Sequence, residues 1–199
     1  MIFIDNQQDF LESALLERAA RLTLGISALR HGEPRHLRRT PVQVSETNRQ
    51  GGAALNPSLK PFDQTQGKPD SASTSAPLSA SSDITIVLTD DAQLHELNRD
   101  YLGVDAPTDV LSFPASELDP ETGSTYLGDI LISIPRATQQ AQAAGHPIEA
   151  EVQLLVVHGV LHLLGYDHAE AQEKARMWAE QAKVLERLGL GHIKIQYSE

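Results

Sequence analysis

Hydrophobic and polar positions alternate, cluster and fade along this chain in a way that marks out its elements. Ile2-Phe-Ile4 is short and β-prone, which suits an edge strand. From Phe10 to Leu29 the apolar positions 11, 14, 15, 19, 22, 26 and 29 keep helical spacing, with Asp9 placed to cap the start. Periodicity then vanishes between 31 and 82. It resumes at Ile84-Thr-Ile-Val-Leu88, a β-branched run that ends in the capping residues Thr89, Asp90 and Asp91. A helix is expected over Ala92–Leu102, with Leu94, Leu97 and Tyr101 inward and Gly103 as its stop. Val110 to Pro114 reads as a short strand cut off by proline, 115 to 126 as a surface loop, and Tyr126–Ser133 as another strand. Ser133 and Pro135 open a helix that runs to Ala144. Glu151 to Leu164 is apolar almost all round, the signature of a helix buried on most sides, and Glu170–Leu188 is a long amphipathic helix closed by Gly189. These elements predict an α+β fold: a small mixed sheet of about four strands packed with about five helices, in a single domain.

Composition divides the chain into three parts. Residues 1–30 form the first strand and helix of the core, 31–82 a flexible insert, and 83–199 the rest of the core. The insert is rich in Pro, Gly, Ser, Gln and Thr, and its run Ser71-Ala-Ser-Thr-Ser-Ala-Pro-Leu-Ser-Ala-Ser-Ser82 is low in complexity. Its Arg35, Arg38 and Arg39 form a small basic cluster, read as part of a solvated linker. Formal net charge is −11. Because 31–82 holds six basic and four acidic residues, the remainder carries 16 − 6 = 10 basic against 27 − 4 = 23 acidic, a net of −13. Charge alone argues against a broad phosphate-binding face, and RNA binding would have to use a local patch. No run approaches the roughly 18 apolar residues that span a bilayer, and no export signal opens the chain, so a cytoplasmic protein with no membrane role is expected. With no cysteine, any metal falls to His, Asp and Glu.

The densest chemistry lies in His158-Gly-Val-Leu-His162-Leu-Leu-Gly165-Tyr-Asp-His168. Histidines four apart on a helix are separated by about 400° of rotation, so both imidazoles leave one face a turn apart. Gly165 can end the helix in a left-handed conformation and let the chain return His168 to the same place. Buried imidazoles without partners cost roughly 2 kcal/mol or more each, and a shared metal satisfies them together. Three imidazoles favour Zn²⁺, one per chain, with an open position for water; manganese and nickel share the same ligand preference. Such a centre serves attack on either a phosphodiester or a peptide. The spacing also matches the metzincin pattern, but the position of that pattern's general-base Glu is Gly159 here, which disfavours a metallopeptidase.

Beyond the histidines, three blocks carry a resemblance. Val157 to His168, Leu97-Asn-Arg-Asp-Tyr101 with Asp105-Ala-Pro-Thr-Asp-Val-Leu-Ser-Phe-Pro114, and Leu127-Gly-Asp-Ile-Leu-Ile-Ser-Ile-Pro-Arg136 together resemble, in order and spacing, the YbeY family of bacterial rRNA-maturation endoribonucleases. The resemblance runs from about 84 to 190. It implies a zinc-dependent ribonuclease specific for single strands, acting on small-subunit rRNA, chiefly its 3′ end, and in ribosome quality control. It also implies single-stranded rRNA and the small ribosomal subunit as partners, with no DNA, and His158, His162 and His168 as zinc ligands. A different class of reading is a non-catalytic ribosome-binding module in which zinc only clamps His168 to the helix.

The chain departs from the family at 31–82, which interrupts the usual run from first helix to strand, and at Leu102, where many members carry an arginine suited to phosphate. Arg99 and Arg136 are the substrate-binding candidates that remain. Asp109, Ser112 and Asp167 are candidates for proton transfer or cleft lining, each set against a local role as turn hydrogen-bonder or helix cap. His146 and His192 are expected to face solvent, and Met177 and Trp178 to be packing residues and not a base-stacking platform.

Overall fold

Side chains that alternate across three apolar runs form the centre of a five-stranded mixed sheet in the computed structural model, which describes residues 1–6, 11–28, 42–43 and 82–193. The strands are β1 (Ile2–Asn6), β2 (Val42–Gln43), β3 (Ser82–Thr89), β4 (Val110–Leu118) and β5 (Thr125–Ser133), in spatial order β1-β3-β5-β4-β2. β1, β3 and β5 are parallel; β4 runs antiparallel to β5 and to β2. Five helices accompany them: α1 (Ser13–Ala28), α2 (Asp91–Leu102), α3 (Ile134–Ala144), α4 (Ile148–Leu163) and α5 (Ala171–Leu188). The expected α+β class and the strand at the N-terminal edge are both present. β2 lies within the segment read as an insert, and the rest of that segment, Arg35, Arg38 and Arg39 included, lies outside the described residues, as does the cap expected from Asp9.

Period-two alternation sends each strand's residues to opposite faces. Ile84, Ile86, Leu88, Ile130 and Ile132 face the main core with α1, α4 and α5, whereas Leu111 and Leu131 turn the other way, onto Leu94 and Leu97 of α2. α4 takes the central place: every residue from Ala150 to Leu163 is buried. A helix apolar almost all round has little face to offer water, and this one is enclosed by α1, α3, α5, β4 and β5. No described helix is long and apolar enough to cross a membrane.

Caps behave as their chemistry requires. Asp90 accepts the Gln93 backbone N–H at the start of α2, Ser133 accepts that of Arg136 at the start of α3, and Gly103, Gly145 and Gly189 end α2, α3 and α5 in left-handed conformations. One strand boundary differs. β4 passes through Pro114 to Leu118, so the loop before β5 spans only residues 119–124 instead of beginning at 115. The pairing with β5 slips between Pro114 and Glu117, and a proline without an N–H is tolerated where a bulge already interrupts the ladder.

That bulge needs Gly128 opposite it. Its φ is +130°, and a Cβ there would stand 2.0 Å from the Phe113 carbonyl oxygen. Gly128→Ala is therefore expected to cost roughly 3 kcal/mol or more, from backbone strain and overlap together. Denaturant unfolding of the variant measures it, and a loss below about 1 kcal/mol would show that the bulge can relax.

Candidate metal centre

The three histidines converge because α4 supplies two of them and the turn after it returns the third. Gly165 takes a φ of +83°, its N–H donates to the His162 carbonyl at 2.8 Å, and the Tyr166 N–H donates to the Leu161 carbonyl at 3.0 Å. The chain thus reverses within three residues. The Nε2 atoms of His158 and His162 lie 2.9 Å apart, and one ligand atom from each of His158, His162 and His168 falls within 4.8 Å of the others. Among the described residues this is the group of His and carboxylates whose geometry suits a metal ion. His158 and His162 are buried, His168 partly so.

The tautomers decide whether such a group suits a cation. Tyr166 offers a carbonyl oxygen 3.0 Å from His162 Nδ1, and Gln181 of α5 presents Oε1 3.0 Å from His158 Nδ1. Both acceptors hold the proton on Nδ1, so both Nε2 lone pairs turn toward the same small volume. Burial opposes the alternative of a charged ring. Desolvation pushes His158 down to about 3, drives His162 well below its ordinary range, and lowers His168. Neutral imidazoles with inward lone pairs are the state a metal binds, so the residues fit the ion their spacing implies.

The general-base position of the peptidase pattern points elsewhere. A Cβ on Gly159 would lie 2.8 Å from Ile130 Cγ2 and 3.2 Å from Ser112 Oγ, beneath α4 and against the sheet. Glutamate has no room there. Ser112 is buried and donates from its hydroxyl to the Gly159 carbonyl at 3.3 Å, which ties β4 to α4 one residue from His158.

The remaining candidates separate. Asp109 is buried, accepting the Val110 N–H at 2.9 Å and Gln140 Nε2 at 2.8 Å, and so joins β4 to α3. Asp167 accepts the backbone N–H of His168 at 2.7 Å; the start of α5 at Glu170 has no side-chain cap. It therefore shapes the turn that presents His168. Arg99 is exposed and pairs with Asp100 at 2.9 Å. Arg136 pairs with Asp91 at 3.3 Å, holding the starts of α3 and α2 together, and Ser133 Oγ donates to the same carboxylate. Leu102 packs on the cluster of Leu94, Leu97, Leu111 and Leu131 beside Phe113, an apolar use of the position. His146, expected to face solvent, instead has a largely covered side chain paired with buried Glu151, whereas His192 is exposed.

Two groups at the centre escaped the sequence pattern. Gln181 is buried in the stripe Met177, Val184, Leu185 and Leu188 of α5, and a polar residue on an apolar helical face was the available signal. Met177 is core and Trp178 packs against that core, both as expected; Trp178 is also partly exposed and meets the rings of His158 and His168 edge to face, at centroid distances of 6.3 and 5.7 Å.

Comparison with known proteins joins these observations. A protein from Brevibacillus brevis named Endoribonuclease YbeY is 47% identical over 120 residues, covering 54% of this chain and 76% of its own length. A protein of the same name from Shouchella clausii is 46% identical over 123 residues, covering 57% and 77%. A solution structure from Thermotoga maritima aligns over 94% of this chain and 89% of its own, with 23% identity and a TM-score of 0.48. The sequence model described as Endoribonuclease YbeY matches residues 64–189, a span that includes β3 to α5 and all three histidines. With that match over more than half of its length, this chain belongs to the YbeY family.

Proposed function

We propose that this protein is a zinc-dependent endoribonuclease specific for single strands, which matures small-subunit rRNA at its 3′ end and acts in ribosome quality control in the cytoplasm. The observation that carries the reading is the inward convergence of His158 and His162 Nε2, 2.9 Å apart, with His168 beside them, in a chain of this family. His158, His162 and His168 would hold the ion. When bound, zinc supplies Lewis-acid and water-activating chemistry at neutral pH. The chain's own residues do the rest. Gln181 and the Tyr166 carbonyl fix the tautomers, Asp167 shapes the turn that carries His168, and Ser112 ties α4 to the sheet.

Activity should follow the metal. Zinc-loaded protein is expected to cut single-stranded rRNA fragments and leave casein intact, to lose cutting on chelation, and to lose at least about 100-fold in His162→Ala. Intact RNA with fully loaded protein would overturn the reading. Gly159→Glu tests the peptidase geometry from the other side. It is expected to lower stability by roughly 1–3 kcal/mol through overpacking against Ile130, without any casein cleavage, in a thermal melt and a protease assay.

Burial also sets a dependence on pH. The folded-state values of the three histidines lie below the ordinary 6.5, so the unfolded chain binds more protons between those values. The metal-free protein should accordingly be fully stable above pH 6.5 and lose stability as pH falls, by roughly 2 kcal/mol at pH 5 from His158 alone. Melting temperatures of metal-free protein between pH 7.5 and 5 check this. A flat profile, or the same slope in His158→Gln, would contradict it.

A further inference from the structure

Lys174, Trp178 and Gln181 stand four and three residues apart and so share one face of α5. Along that face the surroundings change from buried to exposed. Gln181 is buried against His158, Trp178 is partly exposed beside His158 and His168, and Lys174 is exposed, its ammonium 5.4 Å from the centroid of the Trp178 ring. We propose that Trp178 and Lys174 form a nucleotide subsite beside the three histidines, in which the indole stacks a base of single-stranded RNA and the ammonium takes the adjacent phosphate. The inference rests on the ribonuclease reading and names how its substrate is held.

Met177, one residue away, is fully buried, whereas Trp178 packs against the same core with part of its ring and leaves the rest at the surface beside His158 and His168. An indole next to the metal ligands offers a π-face that stacks any base, and a cation on the same helical face offers the charge a phosphate needs. A base inside a duplex cannot present that face, so the pair selects single strands. With a net of −13 outside residues 31–82, the protein supplies no general attraction for RNA, and a local pair of this kind meets the need for a patch. In the structure the ammonium lies over the indole, a cation–π contact that an incoming base would replace.

Trp178 is the sole tryptophan of the chain, so its fluorescence reports the subsite directly. The zinc-loaded full chain is titrated with a 2′-O-methylated single-stranded RNA hexamer, followed by tryptophan emission and, for variants, by anisotropy of a labelled hexamer. Saturable quenching is expected, with Kd weakened roughly 10- to 100-fold in Trp178→Leu and far less in Trp178→Phe. Lys174→Gln should weaken binding and reduce the salt slope by about one. In cleavage assays both Trp178→Leu and Lys174→Gln should act chiefly on KM. Unquenched emission on binding, or Trp178→Leu and Lys174→Gln that bind like the parent with zinc content intact, would overturn the subsite. Should Trp178→Leu fail to load zinc, Trp178→Phe and Lys174→Gln decide alone. RNA cut normally by variants with unchanged KM defeats this inference and leaves the ribonuclease reading standing. Hexamer bound with quenching but RNA left uncut does the reverse.

Discussion

An imidazole can be carried inside a helix buried from Ala150 to Leu163 only if each ring nitrogen has a partner. That requirement organises this structure. The Nδ1 atoms are served by Gln181 on α5 and by the carbonyl of Tyr166, which sets both Nε2 lone pairs facing one another. Two lone pairs at that separation call for a cation between them, and burial removes the proton as the easy answer. The turn at Gly165, the seating of α5 and the return of His168 all serve the same demand.

Holding α4 that deep has a cost in side-chain volume, and glycine meets it. At Gly159 the helix comes down onto Ile130 and Ser112 with no room for a Cβ, one residue from His158 and on the side turned to the sheet. The same residue that removes a peptidase general base is thus the residue that lets the metal helix reach the sheet. Gly128 performs a comparable service at the bulge between β4 and β5, where the register shift admits Pro114 and carries β4 on to Leu118. Backbone proximity, and not the chemistry of the glycines themselves, places the site on a rigid support.

Charge is distributed with equal economy. Arg99 and Arg136 are engaged with Asp100 and Asp91, and Leu102 completes an apolar cluster. Cationic character beside the histidines falls instead to Lys174, next to an indole that already meets two of the three imidazole rings. The outer part of the centre is therefore built from α5, a helix whose amphipathic pattern alone reads as packing.

Local chemistry sufficed for much of this. Periodicity placed five helices and four of the strands, cap residues located the starts of α2 and α3 and the ends of α2, α3 and α5, and the spacing of four and six around Gly165 brought the three histidines together, because helix rotation and a left-handed glycine are properties of neighbouring residues. Contacts between residues distant in sequence were beyond it. The pairing of Val42–Gln43 with β4, the passage of β4 through Pro114, the burial of His146 on Glu151, the use of Gln181 to orient His158 and the exposure of Trp178 beside the ligands each depend on which surface another element covers. The sequence by itself determined the three histidines that converge and the elements that bear them. Only the tertiary structure decided their tautomers, their burial and their neighbours, because those follow from packing between chain segments that no local pattern encodes.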